Sequence, residues 1–158
     1  MMIKIAGILC MTIVVLSSVC VAVPTEDQWD KLTDEALDHY YYGRKAEAIA
    51  VARKAVEAGL ELFGPDDLKI VGSYDNLASY LAAAGENAEA DEYYQKAFAV
   101  LQKKLPPDDH YLAIFMDYLA IFYDRIGKTD YANELRSRAK AIRFKKPEDG
   151  QHTKINPE

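Results

Sequence analysis

Apolar residues recur along this chain at helical rather than strand spacing. Leu77, Tyr80, Leu81 and Ala84 mark one face of a segment, and Tyr93, Ala97, Val100, Leu101 and Leu105 mark the next. No stretch alternates as a half-buried strand would. Three glycines, Gly43, Gly85 and Gly127, stand forty-two residues apart and punctuate the pattern. Small residues keep the same register: Ala36, Ala78 and Ala120 lie before the glycines, Ala48, Ala90 and Ala132 five residues after them, and Ala55, Ala97 and Ala139 twelve after. A glycine that ends a helix supplies the left-handed residue the turn needs. The alanines then allow two helix axes to cross closely, so each copy specifies a tight αα-hairpin.

Start and stop signals agree with this period. Thr25 with Gln28 makes a capping box for a first helix; Asp66 or Asp67, Asn87, Asp108 and Thr129 are the expected N-caps of the third to sixth. Pro65, Pro106 and Pro107 fall in the links, where no helical amide is required. The spacing predicts helices near 26–42, 45–62, 67–84, 88–104, 109–126 and 130–143.

The series of small residue, glycine, alanine and alanine resembles the tetratricopeptide-repeat signature. With Leu62-Phe63-Gly64-Pro65-Asp66-Asp67 and Leu105-Pro106-Pro107-Asp108-Asp109-His110 at the joins, the period is similar to the longer, kinesin-light-chain type of that repeat. The match runs from residue 29 to about 142. It implies an all-α, right-handed α-solenoid of three helix-turn-helix hairpins, about 29–66, 67–108 and 109–143, within a domain of residues 23–143. The first copy departs in carrying Glu35 and His39 where the later ones have Leu77 and Leu81, or Leu119 and Tyr123. The last carries Arg136 where Ala52 and Tyr94 stand, as expected of a final helix that must meet water.

What the resemblance implies about function is a non-enzymatic surface for a protein or peptide, lined by the first helix of each hairpin. By register the inner face takes Thr33, Leu37, Tyr40 and Tyr41 from the first repeat. The second gives Asp75, Asn76, Ser79 and Ala82, and the third Asp117, Tyr118, Ile121, Asp124 and Arg125. Thr33, Leu37, Ile114 and Tyr118 occupy places where chaperone-binding relatives carry the lysines and asparagines that hold a C-terminal carboxylate, so that ligand type is not expected. An inner face both aromatic and acidic suits a segment with basic residues for Asp75, Asp117 and Asp124. A second reading is a structural module whose hairpin ends stack on copies of itself or on an envelope assembly, through apolar residues of the first helix.

The chain ends add an address. Met1 to Lys4 give a short positive start and Ile5 to Val23 carry no charge, so residues 1–22 read as a signal peptide. Ser17, Ser18, Cys20 and Ala22 offer the small residues of a cut, expected after Ala22. The alternatives are an uncut anchor over residues 5–23, or lipidation on Cys20, which Ser17, Ser18 and Val19 suit poorly. The expected location is the periplasm or the outside of the cell. Both cysteines, Cys10 and Cys20, fall in the leader, leaving neither disulfides nor thiolate ligands afterwards. Residues 144–158, with Pro147, Gly150 and Pro157, read as a disordered tail.

Removing the leader takes away Lys4 and leaves 18 basic against 25 acidic side chains, a net charge of −7. That argues against nucleic acid, and against a membrane role for the mature domain unless the leader stays or Cys20 is lipidated. No phosphate loop, nucleophile elbow or HExxH run is present in the sequence, so neither a cofactor nor a reaction is expected. Glu35 with His39, one turn apart, reads as a surface pair rather than half a metal site. Asp108, Asp109 and His110 read as a helix start. Eleven tyrosines are the compositional oddity. Tyr74, Tyr80, Tyr93, Tyr94 and Tyr123 fit the core, whereas Tyr40, Tyr41, Tyr42 and Tyr118 suit an interface, where a large rigid face with a hydroxyl binds at low entropic cost.

Overall fold

The computed structural model describes residues 23–144. The expected leader, and the expected tail apart from Phe144, lie outside the described residues. Six helices follow one another: α1 (Glu26–Tyr41), α2 (Lys45–Phe63), α3 (Leu68–Ala84), α4 (Asn87–Lys104), α5 (His110–Arg125) and α6 (Thr129–Arg143). Each boundary falls within one residue of its predicted place. The pairs α1/α2, α3/α4 and α5/α6 are close antiparallel hairpins, and all nine register alanines are buried. Gly43, Gly85 and Gly127 sit at φ +75°, +89° and +80°, the left-handed turn that the spacing required.

The helix starts divide into two kinds. At α1, α3 and α5 the N-cap is extended and its side chain accepts an amide: Gln28 N–H donates to Thr25 Oγ1 at 3.3 Å, Lys69 to Asp67 Oδ1 at 2.8 Å and Tyr111 to Asp109 Oδ1 at 2.8 Å. Asp109, not the expected Asp108, therefore caps α5. At α2, α4 and α6 the expected caps Asn87 and Thr129 are already helical; the N-caps are Arg44, Glu86 and Lys128, with no side-chain cap bond. The reason is the tight turn. The residue after each glycine donates its amide back to the previous helix, Glu86 to Leu81 O at 2.9 Å and Lys128 to Tyr123 O at 2.8 Å. That holds the N-cap near φ −80°, ψ 60°, out of the extended conformation a capping side chain needs.

The repeats do not stack alike. Between the first two, α2 lies close against α3 along its length, because Val51, Ala52, Ala55 and Gly59 give it a shallow surface. A Cβ on Gly59 would stand 2.7 Å from Ile70 Cδ1 and 3.0 Å from Trp29 Nε1. Trp29 is fixed there by donating Nε1–H to the buried Ser73 hydroxyl at 2.9 Å and by its edge-on contact with Phe63 at 5.1 Å. Between the second and third repeats α4 and α5 approach at few points. Tyr94, Phe98 and Leu101 now occupy the places of Ala52, Val56 and Gly59; Tyr94 meets Phe122 and Phe98 meets Phe115.

Candidate functional site

The wider junction opens a groove of about 250 Å³ between α3 and α5. Its walls are Asp75 and Ser79 from α3 and Tyr118, Ile121 and Arg125 from α5, all five expected on the inner face; its floor is Tyr94 and Phe122. At the first junction the void under the corresponding positions is only about 10 Å³. Tyr94 makes the difference. Its ring, 8% exposed, lies 4.9 Å from Phe122 and wedges the two repeats apart, while its hydroxyl shares a 3.1 Å hydrogen bond with Ser79 Oγ.

Large apolar surface remains open around the groove. Tyr118 is 63% exposed and Ile121 62%, and Tyr111 at the head of α5 stands out beside them. Leu37 and Tyr40 continue this surface onto α1, where Tyr40 stacks on Tyr80 at 4.6 Å. Tyr41, 81% exposed, packs edge-on against Tyr42 at the end of that helix. Asn76 faces the filled first junction and belongs to its small void rather than to the groove. Of the five tyrosines assigned to the core, Tyr74, Tyr80, Tyr94 and Tyr123 are buried and Tyr93 is half-buried against it.

The three inner acids differ in their company. Asp117 pairs with Arg143 and Asp124 with Arg136, both on α6, so each closes an ion pair across the last hairpin. Asp75 has no hydrogen bond or ion pair among the described residues, and burial pushes its carboxyl above the usual range. Its field reaches the hydroxyls of Tyr80, Tyr94 and Tyr111, which are raised chiefly by their own burial. Arg125 likewise has no carboxylate partner among the described residues and rests over the Phe122 ring at 5.9 Å. The expected acidic face is thus reduced to one open acid and one open base on a tyrosine-rich surface.

Elsewhere the polar candidates are taken up structurally. Arg44 Nε donates to His39 Nδ1 at 2.8 Å, and Glu35 lies 3.7 Å from the other ring nitrogen. No group of three potential metal ligands occurs among the described residues. Both end faces are polar: Gln28, Glu35 and His39 stand where Ile70, Leu77 and Leu81 receive the first repeat, and Arg136, Lys140 and Arg143 stand where Tyr94, Phe98 and Leu101 receive the third. At these three positions of the first helix, polar side chains stand where the stacking alternative calls for apolar ones. Leu37, Tyr40 and Tyr41 are the large apolar residues that helix leaves exposed. No helix of the described residues is long and apolar enough to cross a membrane.

Comparison with known proteins fits this architecture. The tetratricopeptide-repeat family model matches residues 71–111, from α3 through α4 to the start of α5. The crystal structure of BtubC (BKLC) from P. vanneervenii is similar with a TM-score of 0.70 at 21% identity, over 80% of this chain and 50% of that one. The fold is a right-handed α-solenoid of three helix-turn-helix hairpins. This chain spans about half the length of the BtubC chain, and at that identity the likeness carries the fold alone. No curated protein sequence matches the chain. A tetratricopeptide repeat points to a protein–protein interaction module, and proteins built from it are generally non-enzymatic scaffolds.

Proposed function

We propose that this chain is an exported, non-enzymatic interaction module that holds an extended segment of a partner protein along its inner face. The observation that supports this most directly is the groove at the second junction, where Tyr118 and Ile121 stay open to solvent beside a half-buried carboxylate. Large aromatic and aliphatic side chains left exposed on a concave surface are the usual anchors of an interface. A partner bringing basic residues suits the net negative charge and Asp75. Export rests on the charge-free run after Lys4.

The polar end faces favour this reading over stacking of copies, because a repeat face with glutamate, histidine and arginine in place of leucine and phenylalanine is a cap. Two measurements test it. Tyr118→Ala should abolish capture of the native partner in a pull-down while leaving the helical melt within about 0.5 kcal/mol of wild type, as for a surface change. Sedimentation at micromolar concentration should give a monomer. Undiminished capture by Tyr118→Ala would remove the groove assignment, and a concentration-dependent oligomer would restore the stacking alternative.

A further inference from the structure

Two opposite charges face the groove and do not neutralise each other. Asp75 enters from α3 and Arg125 from the last turn of α5; both line the same cavity, and each lacks an oppositely charged partner among the described residues. Elsewhere the chain pairs its charges readily, with Arg53 to Glu89, Lys128 to Asp91 and Lys69 to Glu26 joining neighbouring elements. Two neighbouring acids on α5 are closed in the same way by α6. Leaving one acid and one base open, in a groove also walled by Tyr118 and Ile121, keeps the cost of a partly desolvated carboxylate in the free protein. A ligand that supplies the missing counter-charges recovers that cost on binding.

Resting on the groove reading above, we propose that the second junction reads a charge register. The bound segment places a lysine or arginine at Asp75 and a glutamate or aspartate at Arg125, with an apolar residue between them on Tyr118 and Ile121. The exposed Tyr111 and Tyr118 rings add to cation binding, since an ammonium or guanidinium is attracted to an aromatic face. Arg125 offers a planar fork for a carboxylate. A uniformly basic segment meets Arg125 as a like charge, so the groove selects a mixed sequence rather than a cationic one.

Selection of a phage-displayed library of random twelve-residue peptides on the purified protein tests this, run in parallel on wild type, Asp75→Asn, Arg125→Ala and Tyr118→Ala. Wild type should enrich peptides carrying both a basic and an acidic residue. Asp75→Asn should lose the basic preference alone and Arg125→Ala the acidic preference alone, each with at least a tenfold loss of affinity for a synthetic copy of the wild-type winner. Asp75→Asn should also melt at the same temperature as wild type or higher, which a structural role for Asp75 would not allow. Winners without paired charges, or the same winners from Asp75→Asn and Arg125→Ala, would overturn the register while leaving the groove in place. Failure to enrich any peptide, or enrichment undiminished by Tyr118→Ala, would overturn the groove and the register with it.

Discussion

The two junctions of this solenoid use the same positions for opposite ends. Between α2 and α3 the chain places Ala52, Val56 and Gly59, and the helices close until Ile70 lies against a bare glycine. Forty-two residues later it places Tyr94, Phe98 and Leu101, and the helices stand apart on an aromatic layer. Close packing of small residues makes the first junction a rigid base. The bulkier second junction fills its core with rings while opening a groove, so side-chain volume at three positions separates scaffold from candidate site.

Exchanging those volumes should break the comparison. The largest effect is expected from Tyr94→Ala, which gives the second junction the residue of the first: a buried ring and its bond to Ser79 are lost, costing about 3 to 4 kcal/mol in chemical denaturation. The reverse exchange, Gly59→Leu, forces a side chain into the space of Ile70 and Trp29 and should cost about 2 to 3 kcal/mol. Ser73→Ala leaves the Trp29 indole N–H without its partner at the first junction, and about 1 kcal/mol should disappear from the same melt.

Two smaller changes sharpen the contrast in polar groups. Asp75→Asn should stabilise the protein at neutral pH by under about 1 kcal/mol. The sign follows from the raised pKa. The folded state holds the proton more tightly than the unfolded one, so the wild type loses stability as pH rises from the ordinary aspartate value through the raised one. Below about pH 3, well under the ordinary aspartate value, the carboxyl is neutral in both states and the gain over wild type should vanish in paired thermal melts. Tyr80→Phe removes a buried hydroxyl that has no hydrogen-bond partner among the described residues, while keeping the stack on Tyr40. It should be neutral or stabilising by a few tenths of a kcal/mol.

Much of the fold was legible because it depends on local sterics. A left-handed turn calls for Gly85 whatever surrounds it, and a close crossing calls for Ala78, Ala90 and Ala97, so their register gives the hairpins directly. The caps of α4 and α6 were not legible, because Asn87 and Thr129 look like caps until the amide of the preceding residue is seen bonding backwards. That Asp75, Ser79, Tyr118, Ile121 and Arg125 share one surface followed from helical register alone. The state of its charges did not: Asp117 and Asp124 depend on how α6 lies across α5, and only that geometry shows which acid stays open. Tyr94 and Phe122 were hidden for a different reason. They are core residues and groove floor at once, and a pattern of apolar positions reports only the first role. The signal was in the size change from Ala52 to Tyr94 at one register position.

The central claim is that the second junction, not the first and not the ends, receives the partner. Hydrogen–deuterium exchange of the purified protein, with and without a peptide recovered from the selection, addresses it most directly. Slowed exchange confined to the α3 turn carrying Asp75 and Ser79 and to α5 from Tyr118 to Arg125, with α2 and the outer face of α6 unchanged, is the result the account predicts. Protection centred on α6 or on the outer surface of α1, with α5 unaffected, would contradict it.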